Sequence, residues 1–263
     1  MIGSAESYFR AAVGEQVIVR QYKITFRYKL YRIRDLNKKA LIIGNSDGIG
    51  LEITKELLNR EWGITGISRS ESPIINKSYR HIISEVQKLN YLEKLESVLQ
   101  NNSPFDLCIY CAGIGKLLYI NDMKKDIKTF EVNLIGMVKT ASCIIPKMVK
   151  RGKGHFIGIS SFADKMLSSE SPSYHASKAG FSNYLEGLAL ALESKGINIT
   201  NVRFGFVDTK MAKGDKKPFM ITVEEAVEHL LVCIDKKPIQ YTAPKIAIPF
   251  AKFRSIMLGL KVK

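Results

Sequence analysis

From Lys39 onward the chain alternates short apolar runs with longer segments of helical periodicity, for roughly 200 residues. Few folds accept that order. A parallel strand covered on both faces reads as a continuous apolar run, and the helix that covers it repeats its apolar positions every three or four residues. Residues 40–43 form such a run, ended by Gly44. Ile49, Ile53, Leu57 and Leu58 then recur at helical spacing, with Glu52, Lys55, Glu56 and Asn59 on the other faces. The same reading predicts strands at 63–68, 81–83, 106–111, 155–160 and 197–204, and helices at 86–99, 124–149 and 173–194. Thr222 is placed to cap a further helix that contains Glu224, Glu225 and Val227 and stops before Pro238. Strands and helices in strict alternation imply a doubly wound α/β domain, a parallel sheet flanked by helices that binds ligands at the carboxyl ends of its strands.

With 263 residues, 46% of them hydrophobic, the chain can bury one large core, and no Pro/Gly/Ser-rich linker divides it. One domain is therefore expected at 38–245, with an N-terminal extension over 1–37 of no assigned role and a tail over 246–263. No run of about 18 uninterrupted apolar residues suggests a spanning helix, and Glu6 and Glu15 interrupt the order of a secretory signal. Cys108, Cys111, Cys143 and Cys233 lie in apolar segments, which fits free thiols in a cytoplasmic protein. Cys108 and Cys111 fall within an apparent strand and lack a second ligand pair, so no metal site is expected.

The net charge of +15 concentrates at the ends. From Lys236 onward come Lys237, Lys245, Lys252, Arg254, Lys261 and Lys263, with no acid, and residues 1–37 are also basic. Basic ends suit nucleic acid or an anionic membrane, but lysines on solvated faces account for most of these charges. Without an aromatic-lined basic groove or a recognised module, no nucleic-acid partner is expected. In the tail, Ile246, Ile248, Phe250, Phe253, Ile256, Met257, Leu258 and Leu260 interleave with Lys252, Arg254 and Lys261. Such a helix could lie peripherally on a membrane, or pack on the domain or on a sister subunit. Residues 16–36 alternate apolar and basic side chains and could form a hairpin, a surface arm or nothing ordered.

Three constellations carry chemistry. The first is Gly44-Asn45-Ser46-Asp47-Gly48-Ile49-Gly50, between the first strand and the first helix. Glycines there allow a sharp reversal and a close approach to a pyrophosphate, which the helix N-terminus then faces. The second is Ser68-Arg69, where an acid that would hold a ribose 2′-hydroxyl is missing and an Arg can accommodate a 2′-phosphate instead. The third joins Ser160-Ser161 to Tyr174 and Lys178, which share one helix face. A phenol titrates near pH ~10 unless a positive charge favours phenolate, and a serine at the end of a strand could polarise a carbonyl. The identical spacing of Tyr241 and Lys245 lies in a Pro-containing stretch unsuited to a helix, with Glu228 where the serine should be.

Residues 38–209 resemble a short-chain dehydrogenase/reductase of the Rossmann type, through the glycine turn, Ala112-Gly113, Asn133 within Val132-Asn133-Leu134, Ser161, and Tyr174 with Lys178, in order and spacing. The resemblance implies a single domain in which Tyr174 is general acid/base and Lys178 lowers its pKa. It further implies that Ser161 binds the substrate oxygen and that Asn133 holds a relay water. It implies an NADP(H) site, NAD(H) being less expected, formed by Gly44, Ser46, Asp47, Gly48, Ile49, Ser68, Arg69, Glu85, Val86, Cys111, Ala112, Gly113, Tyr174, Lys178 and Val207. The chain departs from the family pattern at Ile43, at Tyr110-Cys111, at Glu85 and at Phe204, where the family has Thr, Asn-Asn, Asp and Pro. Reduction of a small-molecule ketone or aldehyde, or the reverse alcohol oxidation, by a dimer or tetramer is the implied function. The alternative is a non-catalytic regulatory protein that binds the same cofactor. The cleft is expected between loops 114–122, 162–172 and 210–220, the last with Lys210, Lys213, Lys216 and Lys217.

Overall fold

The computed structural model describes residues 37–101, 104–212 and 219–244. The elements are β1 (Lys39–Ile43), α1 (Gly48–Asn59), β2 (Gly63–Ser68), β3 (Tyr79–Ile83), α2 (Tyr91–Asn101) and β4 (Leu107–Tyr110). There follow α3 (Lys124–Phe130), a π-turn (Glu131–Ile135), α4 (Gly136–Arg151), β5 (Gly154–Ser161), a 3-10 turn (Phe162–Lys165) and α5 (Pro172–Leu192). The last are β6 (Ile197–Phe204), α6 (Val223–Lys236) and β7 (Gln240–Ala243). The strands form one sheet in the order β3-β2-β1-β4-β5-β6-β7, every pair parallel.

The chain builds outward from β1 to β3 and then returns to β4 on the other side of β1. That reversal opens a crevice at the carboxyl ends of β1 and β4. Alternation along each strand loads both faces of the sheet. Leu41, Ile43, Cys108, Tyr110 and Phe156 face a core shared with α2, α4 and α5. Ala40, Ile42, Leu107, Ile109 and Ile157 face a second core shared with α1 and α6. The Thr222 cap is present, with Glu225 closing a reciprocal capping box.

Three expectations need correction. Strand β7 was not anticipated: it has four residues, two of them half-buried and one exposed, and precedes Pro244. The second helix begins at Tyr91, not at residue 86, because Val86 instead packs into the core against Gly136. Strand β4 ends at Tyr110, so Cys111 lies beyond it, although its N–H still reaches Ile43 O at 2.8 Å. The continuous run Lys124–Arg151 is long and apolar enough to cross a membrane, yet half of it is buried and it packs along α2, α5 and β5. The N-terminal extension, the basic tail, Lys245 and the lid lysines Lys213, Lys216 and Lys217 lie outside the described residues.

Candidate active site

Gly44 turns the chain at the end of β1 with φ +87°, and a Cβ there would stand 2.7 Å from Ala112 N. The two walls of the crevice therefore touch backbone to backbone, which glycine alone permits. Asp47 caps α1 by accepting the Gly48 N–H at 2.8 Å, and it pairs with Lys210 at 2.9 Å. The hydrogen bond from Lys210 is the main influence holding its carboxyl below the usual range. Ser46 and Ile49 are half-buried in the same turn. This bare cradle at a helix N-terminus fits a dinucleotide pyrophosphate.

Beside it, Asn45 is fully buried in space left by Gly66, whose Cβ would lie 1.9 Å from Asn45 Nδ2. Asn45 Nδ2 donates to Tyr79 Oη, which lies 2.9 Å from His81 Nδ1. The Ser70 carbonyl can only accept, so His81 Nε2–H donates to it at 3.0 Å and the neutral ring takes the Tyr79 proton at Nδ1, while Ser68 Oγ donates to the same carbonyl at 2.7 Å. This relay fixes the turn Ser68-Arg69-Ser70 at the end of β2. Arg69 is exposed there and forms no ion pair with the described residues. Asn45 Oδ1 is buried without a partner among them.

At the ends of β4 and β5 the reactive groups converge. Tyr174 and Lys178 lie on one face of α5, with Lys178 Nζ 6.0 Å from the Tyr174 ring centroid. Lys178 is buried and donates to Ile159 O at 2.8 Å. Burial lowers its amine to about 8, opposed by Cys111 and Asp164. Burial raises the Tyr174 hydroxyl, and a hydrogen bond with Ser161 opposes that rise. Ser161 Oγ accepts Ala163 N–H at 3.2 Å and keeps its own proton as a donor towards Tyr174. Ser160 points away, 2.7 Å from Ser182 Oγ, which singles out Ser161.

Asn133 sits in the π-turn, where Gly136 N–H reaches back five residues to Glu131 O. Its Nδ2 donates to Ile114 O (2.9 Å) and Ser177 Oγ (3.0 Å), and its Oδ1 accepts Ile114 N–H (2.8 Å). With both amide protons engaged, the side chain clamps the 112–114 loop onto α5. A Cβ on Gly113 would lie 3.6 Å from Asn133 Oδ1 and 3.7 Å from Lys178 Nζ, so this loop borders the reactive centre. Backbone and side-chain bonds join loops 114–122 and 162–172, from Leu118 N to Glu170 O and from Ser171 Oγ to Lys116 O, both 2.7 Å.

Of the other residues expected to bind the cofactor, Val86 packs into the core, Glu85 accepts the Gln87 amide, and Val207 is buried in a bridge to Ile221. Tyr241 lies on strand β7 and not on a helix, and it bonds His229 Nδ1 at 2.9 Å. Sequence reasoning also missed the Asn45–Tyr79–His81 relay and a buried cluster of Asp164, Arg203 and Glu186. The visible signal for that cluster was a lone Arg inside an otherwise uncharged strand. Among the described residues no group of His, Cys, Asp and Glu is placed to hold a metal ion.

The family model described as short chain dehydrogenase matches residues 38–218. The chain is similar to an uncharacterized oxidoreductase of Staphylococcus saprophyticus, 26% identical over 189 residues that span 67% of this chain and 81% of the relative. It is also similar to a 3-oxoacyl-[acyl-carrier-protein] reductase of Salmonella typhimurium, 31% identical over 185 residues, 67% of this chain and 76% of that protein. A short chain dehydrogenase from Burkholderia cenocepacia solved in complex with NADP superposes with a TM-score of 0.74 at 21% identity. That match covers 82% of this chain and 92% of the other, and at such identity it bears on the fold.

Proposed function

The chain belongs to the short-chain dehydrogenase family of NAD(P)-dependent oxidoreductases acting on CH–OH and C=O groups, and from that premise we propose that it reduces a ketone or aldehyde with NADPH. The observation that carries this reading is the convergence of Ser161, Tyr174 and Lys178 beside the glycine-lined crevice. The crevice fits the cofactor because its Gly44 wall has no room for a side chain and its Lys178 wall ends in a buried cation.

When bound, the nicotinamide supplies the hydride. Ser161 donates a hydrogen bond to the substrate carbonyl and fixes its orientation, while Tyr174 Oη gives a proton to the developing alkoxide. Lys178, held by the Ile159 carbonyl, stabilises the phenolate that remains. Asn133 holds the 112–114 loop and α5 in register, so that these groups meet. The preference for NADPH rests on Arg69, exposed and without an ion pair among the described residues at the end of β2, where an acid would repel a 2′-phosphate.

NADPH oxidation against ketones, aldehydes and a 3-oxoacyl thioester tests the reading, the last chosen because a relative carries that name. Turnover of at least one carbonyl is expected, faster with NADPH than with NADH. Tight NADPH binding with no carbonyl reduced would instead favour a cofactor-binding regulator.

A further inference from the structure

Helix α5 carries more than its two reactive residues. Tyr174, Lys178, Ser182 and Glu186 recur every four positions, and each bonds or approaches a group on β5, β6 or the 3-10 turn. At the far end of that row, Glu186 accepts from Arg203 on β6, from Asn201 Nδ2 at 2.7 Å and from Gln240 Nε2 at 2.8 Å. Arg203 directs Nε to Asp164 and a terminal nitrogen to Glu186, so one planar fork joins two carboxylates. Asp164 lies in the 3-10 turn that Ser161 caps, and the turn packs directly on α5.

We infer that Asp164, Arg203 and Glu186 form a buried ionic tie that fixes the Ser161 turn against the Tyr174–Lys178 helix and supplies the Lys178 ammonium with its counter-charge. The inference rests on the catalytic reading of Ser161, Tyr174 and Lys178 given above.

One cation between two carboxylates leaves a single negative charge over, on elements packed against the helix that carries the buried Lys178 ammonium, to which no carboxylate is bonded among the described residues. A buried charge without compensation is strongly disfavoured, so the surplus carboxylate and Lys178 satisfy one another at longer range. Asp164 fits this part because it is 8% exposed, lies in the turn packed on α5, and has an Oδ1 with no hydrogen-bond partner among the described residues. The groups that face the ammonium are few. Among the described residues they are Tyr174 and the Phe181 ring, 4.8 Å from Nζ, on its own helix, the Cys111 thiol beyond β4, the Ile159 carbonyl of β5, and Asp164 from the turn with Arg203 of β6 behind it. Cys111 is held neutral by burial, its thiol pushed up to about 12. Asp164 is thus the permanent anion of the set, and it acts to keep Lys178 protonated. These three are positioning residues; none is placed to touch substrate.

The test is the pH profile of kcat/KM for whichever carbonyl the intact protein reduces. Asp164→Asn removes the counter-charge at its source, and Glu186→Gln, at a half-buried position that the fold tolerates better, leaves Arg203 to neutralise Asp164. Both variants are expected to move the alkaline limb to lower pH by about one unit, since less negative charge lets Lys178 lose its proton sooner. NADPH affinity should stay within about twofold of the parent protein, because neither residue borders the crevice. Asp164→Glu, which restores the charge, should return the limb towards its original position. A folded Asp164→Asn or Glu186→Gln protein whose alkaline limb has not moved overturns the inference. Failure of the underlying reading is seen separately, as substantial turnover in Tyr174→Phe.

Discussion

Arg69 illustrates how one exposed side chain acquires meaning from what surrounds it. Its own contacts are few, but the turn that presents it is held by Ser68 and by a relay running through His81 and Tyr79 to Asn45 in the glycine turn. The two parts of the crevice proposed to face the cofactor's phosphates are therefore mechanically joined. Arg69→Asp would place a carboxylate where the 2′-phosphate is proposed to lie. It should weaken NADPH binding at least tenfold and leave NADH binding unchanged or improved, as read by fluorescence titration. An unchanged ratio of the two affinities would contradict the cofactor assignment. Ser68 and Arg69 were legible in the sequence because cofactor choice at that point depends on the presence or absence of a charge. His81 and Tyr79 were not, because a hydrogen-bond relay between two strands leaves no spacing signal along the chain.

The elements read well wherever a period was strong. The long helices and the buried strands β1, β2, β5 and β6 announce themselves by apolar runs or by helical repetition. Edge strand β7 does not, since four partly exposed residues carry no recognisable alternation. The π-turn at Asn133 was equally hidden, because one extra residue in a helical turn barely disturbs a 3.6-residue period. Glycines separate in the same way into those the packing requires and those it does not. In β2, Gly66→Ala would drive a methyl into Asn45, and it should cost about 1–3 kcal/mol of stability together with NADPH affinity. Exposed Gly187 in α5 has nothing within 4 Å of a built Cβ, so Gly187→Ala should stabilise by about 0.5–1 kcal/mol. Urea unfolding of both variants checks the opposite signs.

At the scale of the whole molecule, the two cores meet across the sheet, and the sheet carries a titrating group of its own. His155 on β5 is buried, pairs through Nε2 with Thr200 Oγ1 on β6 at 2.8 Å, and leaves Nδ1 without a partner. Burial, aided by Lys237, lowers its imidazole to about 3. The unfolded chain takes up that proton near pH ~6.5 while the folded chain does not. The stabilisation is therefore complete above that pH and is lost progressively as pH falls from 6.5 towards 3. Between pH 7 and pH 5 the protein should lose about 2 kcal/mol from this group. His155→Gln should show a correspondingly flatter dependence in urea unfolding.

The fold class, the crevice and the trio of Ser161, Tyr174 and Lys178 were legible in the sequence because strand order and helical spacing determine them. The ionic tie behind them was not, because Asp164, Arg203 and Glu186 come from three separate elements and only folding brings them together. What the account depends on most is that Tyr174 is the proton donor of a nicotinamide-dependent reduction. The direct measurement is turnover of the best carbonyl substrate by Tyr174→Phe, with NADPH affinity measured on the same protein. Loss of turnover by at least about a thousandfold with NADPH affinity within threefold is the predicted result. Substantial residual turnover in a folded Tyr174→Phe protein would contradict the account.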